Sequence, residues 1–274
     1  ESWLYSSFCY GNYFKFRKMI KPNNIVIFVP VYNPKNFHYT IYKSFLENDF
    51  SLFLQINSSE SKKINFKINK LKLLGAHIND LNKNIGISKS LNLLIEGKST
   101  ETSHVFFLDQ DTFINVNLFI NFIKKKSTLI INNSLIYLYN NSKNSQLFIT
   151  NSGSLINLNK LKFKFNKRYF VELIDYWLVV KLYEEGSSVL KVKVDFLNHE
   201  IFQEKMNKMF KYEYKSYSTT RFVEIFKNTF FMSIEIVFSF KLNYIMKFKF
   251  LTNLLKNLFN ISFQFFISKI HIKS

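Results

Sequence analysis

From Ile25 onward, short runs of apolar, β-branched residues alternate with longer stretches whose apolar positions recur every three or four residues. A tight apolar run bounded by polar breaks marks a strand and a period near 3.6 marks a helix. The alternation therefore predicts repeated strand–helix–strand units and a largely parallel sheet. Strands are expected at Ile25 to Val29, Leu52 to Ile56, His77 to Asn79 and Val105 to Leu108, with helices at about Phe37 to Glu47, Ser61 to Leu74 and Ile87 to Ile95. Such sheets bind ligands beyond the carboxyl ends of their strands, so the loops after Val29, Ile56 and Leu108 should line one crevice.

Past Thr112 the pattern changes. Leu129 to Tyr139 and Gln146 to Ile156 read as strands, and Tyr169 to Glu185 reads as a helix that stops at Gly186. The uncharged run from Ser127 to Ser142 is broken by Asn132, Asn133, Asn140 and Asn141 and reads as a strand hairpin. No stretch is apolar over the 18 or so residues a membrane-spanning helix needs. Beyond about Tyr212 the chain turns helical and aromatic, with lysines interleaved to its end.

Charge narrows the partners. Lys and Arg number 38 against 19 Asp and Glu, a formal charge of +19, which favours nucleic acid, anionic lipid or phosphorylated substrates. Zinc-finger spacing and the aromatic-glycine runs of RNA-binding modules are missing, which argues against nucleic acid. Cys9 is the single cysteine, so no intramolecular disulfide forms. Glu1 to Gly11 lacks the basic-then-apolar pattern of a signal peptide, and a cytoplasmic location is expected.

Four segments carry candidate chemistry. Val29-Pro30-Val31-Tyr32-Asn33-Pro34 runs from a strand into a Pro-bounded loop; taken alone it is an ordinary strand end and turn. Asn84 to Asn92 places Gly86 just before a helix, where backbone can approach a ligand, and Asn84 and Asn92 offer neutral groups suited to a sugar or nucleotide; taken alone it is a capped helix whose Gly opens the turn. Phe106-Phe107-Leu108-Asp109-Gln110-Asp111-Thr112 sets two carboxylates at the end of an apolar strand. They form either a solvated acidic turn or a site for a hard divalent cation, and the apolar strand before them on a basic chain favours the cation. In the fourth, Asp175 stands among apolar residues at a helix start, where it serves as a helix cap, as a general base with its pKa raised by burial, or as both.

The order and spacing of these segments resemble glycosyltransferase family 2, in particular its bacterial rhamnosyltransferase-like branch, over about Ile25 to Asn228. The resemblance implies an A-type glycosyltransferase fold: an α/β, Rossmann-like mixed sheet flanked by helices, with a catalytic domain over residues 1–228 and a helical extension over 229–274. It implies inverting transfer of rhamnose or a related hexose from a nucleoside-diphosphate sugar to a hydroxyl of a cell-surface glycan or lipid-linked oligosaccharide. Pro30, Tyr32, Asn33, Asn57, Asn84, Gly86, Asn92 and Asp109 would bind the donor. Arg221 and Lys227, which with Asn228 match the branch's Arg…Arg-Asn ending, would meet its diphosphate. Ser152, Gly153 and Trp177 would line the acceptor site. Asp175, six residues before Lys181 and eleven before Gly186, falls at the family's catalytic base, and Asp109, Asp111 and His199 would hold Mg²⁺ or Mn²⁺. Departures are visible: Ile56 stands where an Asp usually contacts the base, Trp177 where an acid is usual, Lys181 for Arg and Phe202 for Gly.

The extension admits two readings. Its Phe and Leu residues, mixed with Lys247, Lys249, Lys256, Lys269 and Lys273, suit a helix lying on the anionic inner face of the cell membrane. The same residues suit packing on the catalytic domain or in a homo-oligomer interface.

Overall fold

The computed structural model describes residues 19–34, 37–58, 61–81, 83–140, 152–169, 173–199, 207–209, 212–214 and 219–271. Strands β1 (Ile25–Tyr32), β2 (Ser51–Ser58), β3 (His77–Asp80) and β4 (His104–Phe107) alternate with helices α1 (Tyr39–Glu47), α2 (Lys62–Leu73) and α3 (Ile87–Gly97). There follow β5 (Thr112–Ile114), α4 (Val116–Lys125), α5 (Ser127–Asn132), β6 (Leu135–Tyr139), β7 (Ser154–Asn157), α6 (Ile174–Glu184), β8 (Val189–Lys193) and β9 (Leu197–His199). A small ribbon of β10 (Asn207–Met209) and β11 (Tyr212–Tyr214) precedes the two long helices α7 (Thr219–Phe238) and α8 (Tyr244–His271).

Seven strands form one sheet in the order β3-β2-β1-β4-β7-β6-β8. The pairs β1–β2, β2–β3, β1–β4 and β6–β8 are parallel, and β7 runs antiparallel to both β4 and β6. This is the largely parallel sheet that the apolar pattern predicts, in the Rossmann-like mixed form flanked by helices that the resemblance implies. Its strands read as near-continuous apolar runs because both faces are covered. Alternate residues of β1 separate accordingly: Ile25, Ile27, Val29 and Val31 join a core with α1, α2 and α4, while Val26 and Phe28 join a second core with α3 and α6. The change of face follows from handedness. The chain moves β1 to β2 to β3 in one direction and then crosses back to β4, and right-handed crossovers in opposite directions lie on opposite faces.

Two expectations are corrected. Residues 129–132, read as the start of a strand, belong to α5, because Ser127 and Ile130 continue at helical spacing the buried stripe of Val116, Phe119, Ile120 and Ile123. The strand expected from Gln146 begins at Ser154, and 146–151 lie outside the described residues.

The boundary drawn at 228 falls within α7, where Asn228 and Thr229 are both buried. Beyond it Met232, Ile236, Leu242, Phe250 and Leu254 belong to the second core. Phe250 is fully buried; its ring meets Tyr176 and Tyr183 at centroid distances of 5.8 and 5.6 Å, and its carbonyl accepts the Tyr176 hydroxyl. One face of the extension is therefore part of the fold. Phe250→Ala is expected to cost about 3–5 kcal/mol in a denaturant titration, whereas Phe259→Ala, at an exposed position, should stay within about 0.5 kcal/mol. Equal, small effects would mean that α8 does not dock.

Candidate functional site

The two strands at the centre of the sheet part company at their carboxyl ends. β1 pairs with β2 as far as Tyr32, but with β4 only from Ile25 to Phe28, closing with Leu108 N–H donating to the Phe28 carbonyl at 3.0 Å. Pro30, two residues on, faces the same side as Phe28, so its missing N–H falls where β4 has already turned away. Because the chain moves outward from β1 in both directions, the opening is a topological switch point, the place where open α/β sheets bind ligands.

Hydrogen bonds tie the loops around this opening into one rim. The Gln110 side chain clamps Tyr32 by accepting from its N–H at 2.7 Å and donating to its carbonyl at 3.0 Å. Asn33, held at φ 36°, donates its N–H to the Ser58 carbonyl at 2.8 Å and accepts the Ser58 hydroxyl at 2.9 Å. Asn57 Oδ1 accepts from Ile85 N–H at 3.4 Å, and Asn84 Oδ1 from Gly86 N–H at 3.0 Å. Gly86 caps α3 with φ 75° and ψ 165°, a conformation open essentially to glycine alone. The first three segments singled out in the sequence thus meet at one edge.

Asp109 and Asp111 stand in the middle of that edge. Asp109 N–H donates to Ser152 Oγ at 3.1 Å, and the Ser152 and Thr112 hydroxyls lie 2.5 Å apart. Ser152 is set there by Gly153, whose N–H donates to the Phe107 carbonyl and whose own carbonyl accepts from Leu138 N–H, both at 2.9 Å. Gly153 has φ 90°, and a Cβ there would run into the Leu138 carbonyl oxygen. Burial first, and the Asp111 charge second, push the Asp109 carboxyl up to about 7. The Tyr42 phenol is also pushed up, by burial and then by the charges of Asp111 and Asp109. Two carboxyl groups at one half-buried strand-end turn form an environment that suits a hard cation. Among the described residues no three His, Cys, Asp or Glu side chains gather, so the described side chains give two carboxylates. That set fits Mg²⁺ or Mn²⁺ bound with substrate phosphates and water. Backbone pairing brings β9 alongside, with His199 opposite Thr112 in the β5–β9 ladder.

The remaining candidates separate into two groups. Asp175 lies half-buried in the first turn of α6, its Oδ1 accepting from Tyr176 N–H at 2.8 Å, just after Leu173 at φ 64°. Ser88, at the start of α3, donates to the Tyr169 carbonyl and so ties the approach to α6 to the carboxyl edge. Trp177 and Asn92, expected at the acceptor and donor, are both buried. The indole is buried against Phe163, Phe165 and Tyr169 and donates to Glu235 Oε2 at 3.2 Å. Asn92 spends its amide on both backbone groups of Phe165, at 2.8 and 2.9 Å. Arg221 is half-buried and Lys227 exposed on α7, with Arg221 fourteen residues before Glu235, roughly 21 Å along the helix.

Sequence reading missed Gln110, whose clamp depends on a partner 78 residues away. It also missed Asp80. That residue ends β3 and lines, with Asn57, Ser58, Asn65, Asn69 and Lys72, a polar cleft of about 650 Å³ beside the crevice. The signal available for Asp80 was its place at a strand's carboxyl end. A smaller, more apolar cleft of about 390 Å³, lined by Val26, Phe53, His77 and Leu94 among others, lies at the opposite edge, away from the acidic pair.

No protein-family model matches the chain, and no curated protein matches it in sequence. Among solved structures it is similar to a protein described as a glucose-1-phosphate thymidylyltransferase from Bacillus anthracis in complex with sucrose. Identity there is 9%, the TM-score 0.38, and the match covers 64% of this chain and 88% of that one. It is similar to 4-diphosphocytidyl-2C-methyl-D-erythritol synthase from Anaerococcus prevotii at 11% identity and TM-score 0.40, over 76% of this chain and 96% of that one. Against the apo-form glycosyltransferase GlyE of Streptococcus pneumoniae the values are 14% and 0.35, with 73% of this chain matched to 58% of that chain's length. The functional reading below rests on the crevice itself.

A pH dependence follows from Asp109. Its folded pKa lies above its ordinary value of 3.8, so ionising it costs stability. The cost is absent below about pH 4, grows as the pH rises, and is complete above about pH 7. Asp109→Asn removes it. The variant's unfolding temperature minus that of the parent should become more positive between pH 4 and 7.5, and Mn²⁺ should shrink the gap by stabilising the parent. A difference independent of pH would contradict this placement of the carboxyl.

Proposed function

We propose that the chain is an inverting glycosyltransferase that moves rhamnose or a related hexose from a nucleoside-diphosphate sugar to a hydroxyl of a cell-surface glycan or lipid-linked oligosaccharide. The observation that carries the reading is the acidic pair at the switch point, buried enough to hold Asp109 near 7 and rimmed by polar groups. Asn57 and Asp80 border a cleft of suitable polarity for a nucleoside, next to the crevice. Asp109 and Asp111, with His199 as a further candidate ligand, would hold Mg²⁺ or Mn²⁺. When bound, such a cation offsets the charge that builds on a departing diphosphate.

The chain's own residues do the rest. Gly86, at the N-terminus of α3, presents backbone to the crevice without a side chain in the way. Ser152 and Gly153 fix the wall on the acceptor side. Asp175 takes the proton from the acceptor hydroxyl as its oxygen forms the bond to the anomeric carbon and the bond from that carbon to the diphosphate oxygen breaks. Arg221 and Lys227, on α7, would meet the diphosphate.

The test is a panel of sugar nucleotides with Mn²⁺, read for binding by calorimetry and for release of nucleoside diphosphate. Asp111→Asn should abolish Mn²⁺-dependent donor binding while the fold is kept. Asp175→Asn should leave binding little changed and lower turnover by about a hundredfold or more. Release of pyrophosphate instead of nucleoside diphosphate would indicate nucleotidyl transfer and overturn the reaction, and near-normal turnover of Asp175→Asn would move the base elsewhere.

A further inference from the structure

The helices of the extension each carry two apolar faces, and only one is covered. On α7 Ile225, Met232 and Ile236 are buried, whereas Val223, Phe226, Phe230, Ile234 and Val237 form an exposed stripe on the opposite side, spaced three or four residues apart. α8 repeats the arrangement. Phe250 and Leu254 are buried, while Tyr244, Ile245, Phe248, Leu255, Phe259 and Phe263 are exposed. Phe222 near the start of α7 stacks on Phe265 late in α8 with ring centroids 4.2 Å apart, so the two helices form an antiparallel hairpin. Phe240, in the turn joining them, is fully exposed. An apolar surface of this extent on a soluble face is uncommon without something to cover it.

Charge says what covers it. From Ile236 to the end of the chain the sequence holds six lysines and no Asp or Glu. Lys249 and Lys256 are exposed and fall on one flank of the α8 stripe. A second copy of the hairpin would bring lysines against lysines, whereas a surface of phosphate headgroups complements them. Among the described residues no helix is long and apolar enough to cross a membrane. We propose that the α7–α8 hairpin lies flat on an anionic phospholipid surface, with Phe240 and the exposed aromatic stripes in the acyl boundary and Lys249 and Lys256 at the headgroups. The inference stands independently of the chemistry assigned to the crevice.

Truncating the extension would strip the second core of Met232, Phe250 and Leu254, so the test uses substitutions in the full chain. Flotation compares vesicles of phosphatidylcholine with phosphatidylglycerol against vesicles of phosphatidylcholine alone. The parent should float with the anionic vesicles, little with the neutral ones, and less at high salt. Phe240→Ser/Phe248→Ser/Phe259→Ser should lower the bound fraction about tenfold or more with an unchanged unfolding temperature, since all three rings are exposed. Lys249→Gln/Lys256→Gln should lower it about tenfold at low salt. Phe240→Ser alone, in a turn with no packing to lose, serves if the triple variant does not fold, with a reduction of about threefold. Absence of flotation, equal flotation with both vesicle types, or a lipid-free dimer dissolved by the same serines would overturn the proposal, the last by making this face a self-interface.

Discussion

Two carboxyl groups, one residue apart, leave a strand whose four residues are all buried, and burial and then the Asp111 charge raise the pKa of Asp109. The fold arranges itself around that cost. Ser152 supplies a hydroxyl to the Asp109 N–H, Gly153 makes the approach of Ser152 possible by passing under the Leu138 carbonyl, and Gln110 turns the other way to clamp the end of β1. A cation near the raised Asp109 carboxyl would favour its ionised form. Such a site would suit a ligand that arrives as an anion with its own cation.

The rigidity this requires comes from the sheet's two covered faces. Phe119 stacks on both Phe50 and Phe106, with Phe45 edge-on to Phe50 and Phe119, and these rings fix one face at the strand from which the acids emerge. On the other, Trp177, Glu235 and Phe250 bind α6, α7 and α8 together, so the start of α6, where Asp175 lies, depends on the extension being docked. The extension is thus structural through one face and available through the other, and the two sequence readings of it are complementary.

Much of this was legible in the sequence because it is local. The strands ending in Tyr32, Ser58 and Phe107, the helix after Gly86 and the acidic pair each declare themselves within a dozen residues. What stayed hidden depends on distant partners. Phe165, which holds both ends of the Asn92 amide, and Phe163, Phe165 and Tyr169, which pack against Trp177, are such partners. The helix over 127–132 was misread because Leu129, Ile130 and Ile131 form a compact apolar run, although Ser127 and Ile130 keep the period of α4. The exposed stripes of α7 and α8 could not be told from the buried ones by pattern alone, because both have helical spacing and only packing chooses between them.

The account stands on a cation and a diphosphate sharing the crevice between β1 and β4. Diffraction collected at the manganese absorption edge from crystals grown with Mn²⁺ and a nucleoside diphosphate measures this directly. An anomalous peak bridging Asp109 and Asp111, with the diphosphate beside it and the nucleoside toward Asn57 and Asp80, is the predicted result. Manganese bound away from the pair, or a nucleotide seated elsewhere on the chain, would contradict it.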